Sequence, residues 1–391
     1  MANVEQKKIL LVVDDAPANL QVVNSILSDD YKIRIATSGT KALELVKLMP
    51  LPDLVLLDVE MPEMDGYEVC GRLKASKETR DIPIIFLTGK TEAQDETKGF
   101  EAGAVDYIHK PFSPAVVKAR VHTHLVLRDA REQLAQQLIS INHQLEMARE
   151  IQLSILPREA PKIRGLEIAA RYFPMSAVAG DFYDFIVVDD RHVGILVADV
   201  SGHGLPAAMI ASMLQVAFTA QFAHASEPGR VLSGLNKALC GKFRTHFVTA
   251  AYMFVDMEKN SISYAGAGHP PLLLWRMSKR GAIEVEENGL LLGHFPGESY
   301  SPVQLPVEPG DKAILYTDGI LEARNLSEEM FGVDRFKKFL EANYALGANE
   351  FIDALMDELS RWSGQPSGRG QQDDITILAV HFKTDKGPIN E

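Results

Sequence analysis

The 391-residue chain predicts a multidomain protein: a doubly wound α/β part with a five-stranded parallel sheet, a long helical linker of coiled-coil type, and an α+β part whose antiparallel β-sandwich is flanked by helices. Three observations predict this order. Over the first 125 residues short apolar runs alternate with amphipathic segments five times, the pattern of a parallel sheet covered on both faces. The polar stretch from about Pro114 to Leu156 has neither Pro nor Gly between Pro114 and Pro157, so nothing interrupts a helix. Beyond Pro157 strand-like runs alternate with two helical stretches, as in a sandwich with helices outside. Length agrees, because single cores stop growing at roughly 250–300 residues. The expected boundaries are 1–122, 123–157 and 158–385.

In the first part the expected strands are Ile9–Val13, Lys32–Ala36, Leu54–Leu57, Ile82–Leu87 and Val105–Ile108. Amphipathic segments follow at Ala18–Leu27, Thr40–Leu48, Tyr67–Ala75, Ala93–Ala102 and from Pro114 onward. In such a sheet the active site lies at the carboxyl ends of the strands, beside the switch in strand order. Polar residues fall there: Asp14 and Asp15 after the first strand, Asp58 after the third, Thr88 after the fourth and Lys110 after the fifth. Three crowded carboxylates call for a divalent cation with oxygen ligands.

In the linker, Leu127, Leu134, Leu138, Ile141, Leu145 and Ala148 recur at spacings of three and four, with Arg131 breaking the seam once. That seam predicts a coiled coil and a parallel homodimer. One amphipathic helix lying against its own domains fits the same spacing.

In the last part Leu166–Tyr172, His192–Val197, Val248–Val255, Ser261–Tyr264, Ala313–Tyr316 and Ile375–Val380 read as strands. Pro206–Phe222 and Pro228–Cys240 read as helices, and Ser363–Gly370 as a Gly-rich loop. Four aspartates stand at the ends of apolar runs: Asp181 in GDFYD, Asp199 in ADVSGHG, Asp318 in LYTDG and Asp373 in QQDDITIL. Each alone is ordinary turn chemistry. Brought together by a fold, they would be a set of oxygen ligands for Mg2+ or a similar ion.

Taken with FVTAAYMFVD and YAGAGHPPLLL, these motifs resemble, in order over about residues 150–383, the bacterial branch of the type 2C superfamily of metal-dependent serine/threonine protein phosphatases. The sporulation and stress-response regulators are the nearest members. The resemblance implies a hydrolase with two Mn2+ or Mg2+ ions, in which Asp199 bridges both, Asp318 and Asp373 complete one, and Asp181 with the Val200 carbonyl holds the other. Asp373 matches the family's first acid in its motif and is preferred over Asp374; Asp184 is a candidate supporting carboxylate. His203 resembles the position that supplies a proton to the leaving group, although lysine is frequent there. His269 is expected to fix a turn. The arginine that grips phosphate in larger relatives has no match, Arg171 being too far from GDFYD. The linker's tail, AREIQLSILP, resembles the switch segment that precedes the catalytic domain in these regulators, and reads equally as the last turn of a linker.

DLVLLDVEMPEMDG and YIHKP in the first part resemble a response-regulator receiver domain. That implies phosphorylation at Asp58 and Mg2+ bound by Asp15, Asp58 and the backbone carbonyl of Glu60, with Asp14 alongside. Lys110 would stabilise the transferred phosphoryl group. Thr88 and Tyr107 would be the switch pair, Tyr107 being also readable as a plain strand aromatic.

Together the two resemblances imply a two-component signal-transduction protein. A sensor histidine kinase or phosphorelay donor would phosphorylate it, and its output would be removal of phosphate from serine or threonine of a regulatory protein such as an anti-sigma-factor antagonist. The alternative is a catalytically weak adaptor that only grips its partner. A net charge of −13 argues against nucleic acid and anionic membrane as partners, and no basic recognition helix is found. The two cysteines, Cys70 and Cys240, form no framework and suit a reducing cytoplasm. MANVEQKK leads into only five apolar residues, so no signal peptide is expected, and Ala207–Ala220 is too short to span a bilayer.

Overall fold

The computed structural model of the protein describes residues 7–89, 99–286, 288–364 and 373–384. They form two compact units, Met1–Ser140 and Ile141–Glu391. In the first, strands β1 (Ile9–Val13), β2 (Lys32–Ala36), β3 (Leu54–Asp58), β4 (Ile84–Thr88) and β5 (Asp106–His109) alternate with helices α1 (Pro17–Leu27), α2 (Gly39–Leu45) and α3 (Gly66–Ala75). The sheet is wholly parallel in the order β2-β1-β3-β4-β5. Because successive strand residues point to opposite faces, each apolar run feeds two cores. Leu11, Val13, Val55, Leu57, Ile84 and Phe86 join Val69 and Leu73 of α3 on one side. Leu10, Val12, Leu54, Leu56, Ile85 and Leu87 meet Val23 and Leu27 of α1 on the other. Strand order reverses between β1 and β3, and the acids of the first unit stand at that switch. Gly66 keeps the β3–α3 loop tight, since a Cβ there would lie 2.2 Å from the Asp58 carbonyl oxygen.

Helix α4 (Pro114–Ile155) is unbroken, as the absence of Pro and Gly predicts. Its first turns bury Val117, Val121 and Leu125 in the first unit, and Lys8–Asp129 and Arg128–Asp53 ion pairs of 2.6 and 3.1 Å tie them down. Farther along, the seam residues Leu127, Leu134, Leu138 and Ile141 are 62%, 58%, 53% and 51% exposed. Most of the expected Ala93–Ala102 helix lies outside the described residues, which are helical at 99–101; Ser363–Gly370 is described only through Gly364.

The second unit stacks two sheets. One runs β13-β10-β9-β8-β7 with β14 added beside β10, from β7 (Phe182–Val187), β8 (His192–Val200), β9 (Val248–Asp256), β10 (Ser261–Ala267), β13 (Asn288–Gly289) and β14 (Val303–Pro306). The other runs β12-β11-β15-β16-β6, from β6 (Leu166–Phe173), β11 (Leu272–Arg276), β12 (Gly281–Val285), β15 (Lys312–Tyr316) and β16 (Ile375–Phe382). All pairs are antiparallel except β10 with β13. Val197, Met253, Leu274, Leu315 and Leu378 are buried between the sheets, while Tyr252, on the opposite face of β9, packs edge-on against Phe218 and joins Leu214 and Leu235 of helices α5 (Leu205–Thr219) and α6 (Pro228–Leu239).

Two further helices, α7 (Gly332–Ala342) and α8 (Ala348–Ser363), go beyond the two expected. Phe336 and Leu340, with Phe351, Ile352 and Leu355, cover Leu273, Ile314 and Ile377 on the outer face of the five-stranded sheet. Each such buried side chain contributes about 1.5–3 kcal/mol by leaving water. The layers are therefore helix, sheet, sheet, helix. No helix among the described residues is long and apolar enough to cross a membrane.

At the start of β8, His192 is held between two carboxylates, with Nδ1 2.8 Å from Asp189 and Nε2 3.3 Å from Asp256. Partial burial opposes its charge, but the hydrogen bond and charge of Asp189 and the charge of Asp256 outweigh it and raise its pKa. A raised histidine adds stability that is complete below its unfolded value of about 6.5 and is lost as pH rises through the folded value. Wild type should therefore exceed His192→Gln in the melting temperature of the second unit most at about pH 6, with the gap closing toward about pH 9. A gap that does not change with pH contradicts this.

Candidate metal centres

The first centre lies at the ends of β1 and β3. Carboxyl oxygens of Asp14, Asp15 and Asp58 all lie within 4.8 Å of one another. From just past β5, Lys110 reaches Asp14 at 2.8 Å and Asp58 at 2.9 Å. Asp14 is oriented further by the Ala16 N–H at 2.9 Å and the Asn19 amide at 2.9 and 3.0 Å; Asn19 is a residue that the strand-end argument does not find. Burial pushes the Asp58 carboxyl up, Lys110 and the Glu60 backbone pull it down, Asp14 adds to the rise, and the net direction is upward. On β4 and β5, Thr88 stands opposite His109 and Tyr107 opposite Phe86, so the expected switch pair is offset along the ladder. Tyr107 packs edge-on against Phe100 and His109.

The second centre is assembled from both sheets. Phe182 pairs with Ala198, which brings Asp181, just before β7, beside Asp199 on β8. Tyr316 pairs with Ile377, which brings Thr317 and Asp318 to the same end as Asp373 and Asp374. Hydrogen bonds then cross between the sheets: one oxygen of Asp181 accepts from Thr317 Oγ1 at 2.8 Å and from Thr376 Oγ1 at 2.6 Å. Asp374 spends both oxygens on backbone, accepting the N–H of Met175 at 2.7 Å and of Gly180 at 2.8 Å. Asp373 accepts the Asp374 N–H at 2.8 Å. Gly180 has no room for a side chain, since a Cβ would lie 2.6 Å from the carbonyl oxygen of Val200.

The charges report how close these groups are. Burial and the charge of Asp199 hold the Asp181 carboxyl well above its usual range, against the pull of the two threonines. Burial and the charges of Asp318, Asp373, Asp374 and Glu322 push Asp199 up to about 7. Asp318 rises to about 6 through burial, Asp373 and Glu322. Among the described residues no Lys, Arg or His forms an ion pair with Asp181, Asp199, Asp318 or Asp373. An all-oxygen set of mutually repelling, largely buried carboxylates fits hard divalent cations. It is wider than the first centre, the only described trio within 4.8 Å.

Other expected residues are not drawn in. Asp184, opposite Leu196 within β7, bonds the Phe185 N–H at 2.7 Å, and its carboxyl is raised by burial without any contribution from the cluster. Arg171 faces α8, bonding Asn349 at 3.2 Å and Asp353 at 3.3 Å. His203 is exposed between Gly202 and Gly204, both at positive φ. Gln152, in the AREIQLSILP tail of α4, is 5% exposed and clasps the Ala179 backbone, donating to its carbonyl at 2.6 Å and accepting its N–H at 3.0 Å. The helix tail is thereby bonded two residues from Asp181.

Comparison with known proteins agrees with this division. Residues 189–383 match the family described as Stage II sporulation protein E (SpoIIE), and residues 10–122 match the response regulator receiver domain. The phosphoserine phosphatase RsbU of Bacillus subtilis is 30% identical over 244 residues, covering 62% of this chain and 71% of that protein. A probable cyclic di-GMP phosphodiesterase of Vibrio cholerae is 48% identical over 128 residues, and the chain spans only 29% of that protein's length. Among solved structures, the SiaA-PP2C domain of Pseudomonas aeruginosa superposes with a TM-score of 0.55 at 25% identity, over 64% of this chain and 99% of that one.

The threonine contacts to Asp181 have a measurable weight. Thr376→Val removes one donor from a buried carboxylate and should destabilise the second unit by about 1–3 kcal/mol in metal-free buffer at neutral pH, read by chemical denaturation. A loss under about 0.5 kcal/mol, the size of an ordinary surface substitution, contradicts the assignment.

Proposed function

We propose, from the premise that this chain belongs to the Stage II sporulation protein E phosphatase family and carries a response regulator receiver domain, that it removes phosphate from serine or threonine of a partner protein under control of Asp58 phosphorylation. The observation that carries the reading is the convergence of Asp181, Asp199, Asp318 and Asp373 from two sheets with no basic partner among the described residues. Asp199 would hold both of two cations, with Asp318 and Asp373 serving one and Asp181 with the Val200 carbonyl the other. Mn2+ or Mg2+ held there supplies charge neutralisation at phosphorus and an acidified water. The chain's own part is to hold these oxygens rigid, with Thr317 and Thr376 fixing Asp181 and Asp374 fixing the loop before it. His203, exposed four residues beyond Asp199 and bonded to none of the acids, would be the donor of the proton that the departing serine oxygen needs.

In the first unit an Asp58 oxygen attacks the phosphorus of a sensor histidine kinase or phosphorelay donor. The new O–P bond replaces the donor's P–N or P–O bond, and Lys110 turns from the carboxylates to the phosphoryl oxygens; Asp15, Asp58 and the Glu60 carbonyl would hold an Mg2+ ion, which would offset charge on the phosphoryl group. Residues 123–157 carry the signal. The exposed seam at Leu127, Leu134, Leu138 and Ile141 supports a parallel two-stranded coiled coil between copies, and the Gln152 clasp on Ala179 supports transmission to Asp181. The substrate class that fits is a phosphorylated regulatory protein, such as an antagonist of an anti-sigma factor.

Purified protein in Mn2+ should hydrolyse p-nitrophenyl phosphate or a phosphoserine peptide, and Asp199→Asn should slow this by about 100-fold or more. Unchanged hydrolysis in that variant, or none in wild type with or without receiver activation, defeats the enzyme reading and leaves a binding adaptor. Beryllofluoride, which mimics phosphorylated Asp58, should change the wild-type rate but not that of Asp58→Ala, and Gln152→Ala should hydrolyse yet lose the response. Equal responses in wild type and Asp58→Ala would separate the receiver from the enzyme.

A further inference from the structure

Phe247, just before β9, is an exposed aromatic beside the second centre. Its backbone continues the pairing of β9 with β8: the Ser201 N–H donates to the Phe247 carbonyl at 2.9 Å, and the Phe247 N–H donates to the Ser201 hydroxyl oxygen at 2.8 Å. Two residues along the same ladder, Asp199 stands opposite Thr249. Alternate strand residues share a face, so the Phe247 ring lies on the face that carries the Asp199 carboxylate. That is the inner face, where Val197, two residues before Asp199, is buried between the sheets. Yet Phe247 is 38% exposed and joins none of the buried apolar clusters. Single exposed apolar residues are common on surfaces and mean nothing by themselves. This one stands at the end of the strand pair that presents Asp199.

Its neighbours leave the ring open on both sides. On one side the ladder places Ser201, whose hydroxyl is spent on the main chain. On the other, the antiparallel bridge between Val248 and Leu292 continues one step to Gly293, where a Cβ would lie 2.6 Å from the Phe243 ring. A small residue and a glycine therefore flank the aromatic and leave room for a chain that crosses the strand ends. The loop leading into it, residues 240–246, contains no acid and carries Lys242 and Arg244 exposed, in a chain whose net charge is −13. That local reversal of charge suits an anionic segment.

Two strand residues span about 7 Å. An extended peptide advances about 3.3–3.6 Å per residue, so a side chain one or two residues from a serine phosphate held at Asp199 comes over the ring. We propose that Phe247 is a specificity-determining residue, which takes an apolar side chain flanking the phosphoserine of the partner protein. The inference rests on the proposed function, since it needs the phosphate at Asp199, and adds which segment of the partner is bound: one with an apolar residue at the first or second position from the phosphoserine.

The test compares phosphoserine peptides built otherwise of Gly, Ala and Ser, four with one Leu at the first or second position on either side of the phosphoserine and one with none. Full-length protein is assayed in Mn2+, in whichever state, with or without beryllofluoride, turns over p-nitrophenyl phosphate faster. Wild type should favour at least one Leu peptide over the peptide without Leu by about tenfold in kcat/KM, mostly through KM. Phe247→Ala should reduce that preference to within about twofold, and Phe247→Tyr, which keeps the ring, should retain it. The preference is a ratio measured on one preparation, so a partly unfolded variant still reports it. Phe222→Ala, which removes a 57% exposed aromatic beyond the far end of α5, should keep the preference. No preference in wild type, the same preference in Phe247→Ala, or an equal loss in Phe222→Ala overturns the proposal. Turnover of p-nitrophenyl phosphate with no peptide hydrolysed overturns it as well. Wild type that hydrolyses neither p-nitrophenyl phosphate nor any peptide overturns the proposed function itself, a result seen before any variant is compared.

Discussion

Carboxylates that are buried close together repel one another, and the second unit is arranged around holding four of them against that repulsion. Asp181 and Asp199 come from one sheet and Asp318 and Asp373 from the other. Burial and mutual charge drive Asp199 to about 7 and Asp318 to about 6, so the arrangement opposes folding unless something binds it. The core between the sheets supplies the counterforce: Met253, Leu315 and Leu378 are buried there, and a core of that kind tolerates a strained polar end. Hydrogen bonds from Thr317 and Thr376 cross at that same end and turn a general attraction between sheets into a defined geometry.

The two acidic centres solve the same electrostatic problem differently. In the first, Lys110 sits between Asp14 and Asp58 and balances part of the charge within the protein. Such a centre is suited to a carboxylate that must itself become a nucleophile and then be released. In the second, the described residues supply no basic partner; Asp181 is held by two hydroxyl donors, and Asp374 ties down the loop before it through backbone donors. That suits ligands that never react. Helix α4 begins packed in the first unit through Val117, Val121 and Leu125 and ends at Gln152, bonded beside the second centre.

Much of this was legible in the sequence because burial writes simple patterns. Strands covered on both faces read as unbroken apolar runs, and an acid at the end of such a run stands out, which is how Asp14, Asp58, Asp199 and Asp318 were found. Thr317 and Thr376 were not found, because their meaning depends on pairing with a residue 136 and 195 positions away in sequence. Gly180 is similar: its necessity comes from the Val200 carbonyl on a neighbouring strand. Helices α7 and α8 are hidden for another reason. Their starts at Phe331 and Gly347 lack a capping side chain, so they carry no Ser, Thr, Asp or Asn start signal and depend on Phe336, Leu340, Phe351 and Leu355 packing on the sheet.

The central claim is that strand ends from two sheets form one two-cation site. Anomalous diffraction at the manganese edge from crystals of the full chain grown in Mn2+ tests it most directly. The account predicts two peaks in the second unit about 3.5–4 Å apart, with Asp199 touching both, Asp318 and Asp373 on one, and Asp181 with the Val200 carbonyl on the other. Manganese found only beside Asp14 and Asp58, with the second unit empty at saturating Mn2+, would contradict it.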